Sequence, residues 1–347
     1  MSSFTLTRRF DARLVRLAFL VALMAVALFL AACAPGPGGR DSLTLYSGRT
    51  ESLIGPLLER YKRDVGADIR VRYGDTAELA AAILEEGARS PADVLLAQDA
   101  GALGAVAQRG LFVRLPDTVL NKVDGRFRSP AGVWVGVSGR ARVIVYNPNL
   151  VSDAELPDSV LGLTDARWRG RIGWAPTNGS FQAFVTALRI GNGEAGARSW
   201  LSGIKANEPR SYANNTAIVR AVASGEIHVG LVNHYYLYAI EKDQGPVAAR
   251  NYHPRAGDAG AMINVAGAGI LASSRNQEAA RRFVDYLLSS SAQEYFTTET
   301  FEYPLVAGVA PPAGAPPLAQ IRAPGMDLGS LADLDATLRL LRDTGVV

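Results

Sequence analysis

The chain has 347 residues, with 36 Lys and Arg against 33 Asp and Glu and a formal charge of +3. The excess sits in the first 32 residues, which carry Arg8, Arg9, Arg13 and Arg16 against Asp11 and leave 32 bases and 32 acids in the rest. Nothing in a balanced body suggests a nucleic-acid surface, which needs a clustered basic excess, and the roughly 315 residues beyond the leader suit two lobes of ordinary size.

The four arginines precede an uninterrupted apolar run, Leu17 to Leu30, that stops at Leu30-Ala31-Ala32-Cys33. This order predicts a signal peptide over residues 1–32. A single transmembrane anchor is the alternative, but the run is short for a bilayer span. Cys33 is the sole cysteine, so it makes no internal disulfide. Its setting resembles the lipobox of bacterial lipoproteins, which implies a lipid on the thiol; the plain alternative is a small residue closing the apolar run. Residues 33–40, rich in Pro and Gly, then read as a tether.

Beyond the tether, short β-branched runs alternate with amphipathic stretches. Leu43 to Tyr46, Ile69 to Val71 and Ala92 to Leu96 read as strands. Between them, Leu53, Ile54, Leu57, Leu58 and Tyr61 share one helical face, and Thr76 to Ala88 forms the next helix. This βαβαβ register predicts a parallel sheet covered on both faces. Ligands of such sheets sit beyond the carboxyl ends of the strands, here the loops starting at Ser47, Gly74 and Gln98.

The middle of the chain repeats the rhythm. Strands are expected at Val143 to Tyr146, Arg171 to Trp174 and Ile227 to Val232, and helices at Phe181 to Ile190, Ala195 to Lys205 and Ala213 to Ala223. Ala261 to Leu271 reads as a returning strand, followed by a helix from Gln277 to Leu288. Ala310 to Pro324 is a Pro/Ala-rich surface run, and Asp327 to Thr344 a closing helix. A chain that leaves one α/β lobe, builds a second and returns makes two crossings, which form a hinge. The expected lobes are 41–138 with 266–312, and 139–265 with 313–347.

Several runs carry a resemblance. Leu45 to Arg49, Gly74-Asp75 through Leu79, Glu85 to Gly87, Ser90 to Val94, Ser138 to Val143 and Val232 to Tyr236 resemble, in order and spacing, the bacterial ferric-ion-binding proteins. The resemblance spans the chain from about Leu43 to its last helix. It implies a type II periplasmic binding protein, two α/β lobes joined by a two-strand hinge with the ligand cleft between them. Such a protein is an exported monomer that hands Fe³⁺ to an ABC transporter permease.

Tyr235 and Tyr236 resemble the paired phenolate ligands of that family; the plain alternative is an aromatic cluster at a helix start, with Tyr238 nearby. Ferric ion prefers hard anionic oxygen, and a tricationic neighbour favours the charged form of a phenol that is ordinarily protonated near neutral pH. Two phenolates leave one positive charge, which the family offsets with a carboxylate or a co-bound anion, phosphate or carbonate. Gln98, Arg140, Asn178, Gly179, Ser180, Asn215 and Asn233 match positions that hold or support that anion in relatives, and helix N-termini favour an oxyanion. Taken singly, Asn178 and Asn215 also read as helix caps.

The pattern departs in the first lobe. One branch of the family supplies a His and a Glu to iron, where this chain has Thr50 and Ala97, and a further tyrosine of other branches is replaced within Gly179-Ser180-Phe181. Asp99, two positions beyond Ala97, could offer a carboxylate but reads better as a helix cap, and His234 alone of three histidines is near the tyrosine pair. Two ligands therefore stay open: ferric iron with an exogenous anion, or an organic phosphate or other small anion. No Gly-x-Ser-x-Gly elbow, His-Glu-x-x-His or phosphate loop supports an enzyme.

Overall fold

A computed structural model describes residues 42–347. The predicted leader, Cys33 and the tether lie outside the described residues. Within them the strands are β1 (Ser42–Ser47), β2 (Asp68–Tyr73), β3 (Val94–Ala97), β4 (Trp134–Tyr146), β5 (Ile172–Trp174), β6 (Arg210–Ser211), β7 (Val229–Asn233), β8 (Arg250–Tyr252) and β9 (Ile263–Ile270). They follow one path, β2-β1-β3-β9-β4-β7-β5-β6, with β8 paired to β4 off that path.

The amino-terminal part matches the expected rhythm. β1 runs parallel to β2 and to β3, and α1 (Glu51–Val65) and α2 (Thr76–Glu86) make the crossovers. Helix α1 buries Ile54, Leu57, Leu58 and Tyr61, and stops at Gly66, whose φ of 72° lets its N–H donate back to the Lys62 carbonyl. After β3 comes α3 (Ala100–Gln108), then the single turn α4 (Asp117–Leu120).

β4 is the longest strand among the described residues and every one of its 13 residues is buried. From Trp134 to Ala141 it pairs antiparallel with β9. From Arg142 to Tyr146 it pairs antiparallel with β7. One strand thus serves two sheets, and the exchange of partners falls between Ala141 and Arg142. Because side chains alternate along a strand, Ser138, Arg140 and Arg142 share one face across the exchange.

In the second sheet β5 runs parallel to β6 and β7. The helices are α5 (Gly179–Ala206), α6 (Asn215–Ala223) and α7 (Tyr235–Gln244). The two helices expected from the sequence form α5, which is interrupted at Gly193, where φ is 71° and ψ 167°. The chain then returns through β8 and β9 to α8 (Gln277–Leu287) and α9 (Ser290–Thr298), with Ala280, Phe283, Val284 and Leu287 of α8 buried.

The carboxyl-terminal helix is shorter than expected. Leu328–Ala332 is a 3-10 turn, Asp333 breaks the run with ψ 55°, and α10 spans Leu334–Asp343. The turn lies on α3, where a Cβ at Gly101 would stand 2.7 Å from the Leu331 carbonyl oxygen, so only glycine admits this approach. Helix α10 is fastened to α5 by the Thr186–Thr337 hydroxyl contact at 2.7 Å and the Arg189–Asp333 ion pair at 3.0 Å. The tail assigned above to the second lobe therefore also packs on α3. No helix among the described residues is long and apolar enough to cross a membrane.

Candidate functional site

The carboxyl ends of the strands collect the polar groups. β7 ends at Asn233, and Tyr235 and Tyr236 open α7 directly after it. Their ring centroids lie 4.2 Å apart at an interplanar angle of 30°, a close tilted pairing of two half-buried phenols. Burial pushes the Tyr235 phenol above its ordinary range; Tyr236 adds to the rise, and the positive charge of Arg140 opposes it. Without a bound cation Tyr235 is a neutral donor at neutral pH.

His234 holds the pair in place. Its N–H donates to the Ala141 carbonyl at 3.0 Å, and its Nδ1 accepts from the Ala141 N–H at 3.1 Å. Those bonds pin the start of α7 to β4 at the point where β4 changes partners. With Nδ1 engaged, the ring carries its proton on Nε2, and burial pulls its pKa down to about 3. The histidine nearest the tyrosines thus positions them through the backbone.

A second cluster lies at the starts of α5 and α6. Asn178 caps α5, its Oδ1 accepting from the Ser180 N–H at 3.0 Å and from the Ser180 hydroxyl at 2.6 Å. Asn215 donates to the same Oδ1 at 3.2 Å and to Ser180 Oγ at 3.1 Å. The cap of α6 is Asn214, which accepts from Ala217 N–H, so Asn215 is free of capping duty and faces Asn178 instead. Gly179 is the first residue of α5, with open space where a Cβ would be. Asn178, Ser180 and Asn215 therefore form one hydrogen-bonded network.

Two buried guanidiniums adjoin these groups. Arg140 is 6% exposed and donates to the Gln98 carbonyl through Nη2; its Nε and the Gln98 Oε1 have no hydrogen-bond partner. Arg142 is 1% exposed. It donates from Nη2 to the Leu231 carbonyl at 3.0 Å and from Nη1 to Ser180 Oγ at 3.4 Å, while its Nε has no partner. Burial lowers its pKa to about 9, and the neighbours that oppose this fall are Tyr236 and Tyr235. Neither arginine pairs with a carboxylate among the described residues. The carboxylate of Glu302, at 2% exposure, is instead bound by Arg49.

The structure thus brings Gln98 and Arg140 together, and joins Asn178, Ser180 and Asn215 to Arg142. Asn233 sits opposite Arg142 in the β4–β7 register. Thr50 is exposed before α1 with its hydroxyl 3.0 Å from Ser52 Oγ, and Ala97 is wholly buried on β3. Asp99 caps α3 by accepting from Ala102 N–H at 3.1 Å. Phe181 packs on Trp174 and Phe184. Among the described residues no three of His, Cys, Asp and Glu converge on a metal position. In the sequence Arg142 lies inside the Ser138 to Val143 run without a role of its own, and its signal is the i, i+2 spacing from Arg140.

His253 is a further buried imidazole, with neither ring nitrogen hydrogen-bonded and burial pulling its pKa down to about 4 from 6.5. The unfolded chain takes up this proton first as pH falls, so the contribution to stability is complete above about 6.5 and is lost as pH drops towards 4. Calorimetry should show the wild-type melting temperature falling across this window more steeply than that of His253→Leu. Parallel curves would contradict the assignment.

Two sheets that share β4, with polar groups gathered at strand ends, match a type II periplasmic binding protein, a solute-binding protein rather than an enzyme. The family model for bacterial extracellular solute-binding proteins matches residues 89–327, and the chain belongs to that family. It is 33% identical over 327 residues to the major ferric iron-binding protein of Neisseria meningitidis, covering 92% of this chain and 98% of that one. Against the Fe(3+)-binding periplasmic protein of Serratia marcescens it is 32% identical over 330 residues, covering 94% and 97%. Iron-bound HitA from Pseudomonas aeruginosa superposes with a TM-score of 0.80 at 34% identity, covering 88% of this chain and 99% of that one.

Proposed function

We propose that this chain is the extracytoplasmic solute-binding lipoprotein of an ABC importer, that it binds ferric iron through Tyr235 and Tyr236 with a co-bound phosphate or carbonate, and that it delivers the iron to the permease. The observation that carries the reading is the phenol pair itself, packed at 4.2 Å at a strand end beside two buried guanidiniums. Relatives named for ferric iron binding support it over nearly their whole length. Residues 1–32 would be removed on export and Cys33 would carry the lipid. Residues 41–138 with 266–312 and 139–265 with 313–347 would form the lobes that close on the ligand.

The chemistry follows from the neighbours. Ferric ion displaces the phenol protons, so binding releases protons and weakens in acid. The anion would rest on Gln98, Arg140, Asn178, Gly179, Ser180, Asn215 and Asn233, completing a shell to which Thr50 and Ala97 contribute nothing. Those two positions, with the unpaired arginines, favour an organic phosphate as the second reading.

One titration separates the two. Ferric iron added with phosphate should produce the visible phenolate-to-iron absorption band, and stripping phosphate and carbonate should weaken iron binding by at least about tenfold, a 1.4 kcal/mol change. A chain that stays colourless yet is stabilised by a sugar phosphate would favour the second reading.

A further inference from the structure

We propose that Arg142 couples the anion to the metal: its guanidinium is the shared counter-charge for the Tyr235–Tyr236 pair and for an anion on the Asn178–Ser180–Asn215 network, and it makes the site select iron accompanied by an anion of two or more negative charges. This inference rests on the iron reading above and adds to it a residue and a selectivity.

The geometry supports a connecting role. Arg142 stands on β4 where that strand enters the second sheet, opposite Asn233, the last residue before the turn into α7. Its planar group is fixed from three sides: the Leu231 carbonyl at 3.0 Å, the ring of Phe184 at 5.1 Å and the ring of Phe181 at 5.8 Å. On the remaining side Nη1 reaches Ser180 Oγ at 3.4 Å, the long end of a hydrogen bond, and Nε has no partner. An arginine stays charged at neutral pH. Here it is buried without a carboxylate, an arrangement that is strongly unfavourable until an anion arrives.

The charge balance sets the selectivity. Ferric ion with two phenolates leaves one positive charge, and Arg140 and Arg142 raise the local excess to three. Glu302 does not reduce it, because Arg49 already neutralises that carboxylate. A monoanion leaves two charges uncompensated in a water-poor site, whereas hydrogen phosphate leaves one and a tribasic anion none. Excess charge is costly where water is excluded. An anion that relieves Arg142 therefore favours the metal, and by linkage the metal favours the anion to the same extent.

The test uses the mature chain, Arg142→Met and Arg142→Lys, each titrated with ferric iron in anion-free buffer, with inorganic phosphate and with nitrate, following the phenolate band. The wild type should gain at least about tenfold in iron affinity from phosphate, within the usual range of such couplings, and distinctly less from nitrate, which stays a monoanion. Arg142→Met should still form the band and, iron-free, melt no lower than the wild type, but gain less than about twofold from phosphate. A merely structural arginine would lower the melting temperature and leave the phosphate gain intact. If the methionine chain does not fold, Arg142→Lys decides: it keeps the charge and should keep the preference for phosphate over nitrate. Undiminished phosphate gain in the methionine variant, equal gains from both anions in the wild type, or a lysine variant without preference would overturn the proposal. A wild type that never forms the band would remove the iron reading, and this inference with it.

Discussion

Converting Tyr235 and Tyr236 together to phenylalanine is expected to lower ferric affinity by at least about three orders of magnitude, about 4 kcal/mol, while leaving the fold intact. The change removes two oxygens and keeps two rings, so the stacked pair at 4.2 Å retains its packing. His234 continues to hold the start of α7 through its two bonds to Ala141. What disappears is a pair of oxygens that a bound cation can make anionic, and among the described residues no cluster of three or more carboxylates, imidazoles or thiols stands ready to replace it. Each single variant should fall between the wild type and the double. Competition titration against a ferric chelator, with circular dichroism as the control for folding, reads the result. Near wild-type affinity in the double variant would end the phenolate account.

The second large effect concerns stability. Glu302 and Arg49 form a buried, nearly two-pronged ion pair, with Nη1 to Oε1 at 3.1 Å and Nη2 to Oε2 at 3.0 Å. Ser138 Oγ on β4 donates to Oε2 at 2.6 Å, and Thr300 Oγ1 at 3.3 Å. Glu302→Gln preserves the shape but strips the negative charge and leaves the Arg49 guanidinium buried against Phe296, 5.7 Å from its ring centroid. Breaking such a pair from one side costs about 3–5 kcal/mol. In a chain of this size that lowers the melting temperature on the order of 10 °C. Adding Arg49→Met should recover much of the loss, because no lone charge then remains inside. Chemical denaturation showing less than about 1 kcal/mol for the single change would mean that water reaches the pair.

Much of the scaffold is legible along the chain. The apolar spacing of Ile54, Leu57, Leu58 and Tyr61 matches the buried face of α1, and the polar interval around Gly193 marks the break inside α5. The first half of β4 is not legible, because burial on both faces erases alternation and Gly136, Ser138 and Gly139 interrupt the β-branched pattern. Helix α9 hides for another reason: Ser290, Ser291, Thr297 and Thr298 are weak helix formers, and packing rather than propensity decides their state. At the site, the tyrosines and the Asn178 cap can be read locally. The Arg49–Glu302 pair cannot, since its members stand 253 positions apart. Arg142 is obscured because a strand arginine normally points to water, and only the three-dimensional arrangement shows that it does not.

β4 also limits how this chain can vary in length. The loops over residues 310–324 can gain or lose amino acids with little consequence, since few of their side chains are enclosed. An insertion or deletion of one amino acid between Ser138 and Arg142 would instead invert the facing of every later position in the strand and turn one guanidinium away from the other. Homologous chains that keep both arginines should therefore show no indels across this stretch, however far their loops diverge.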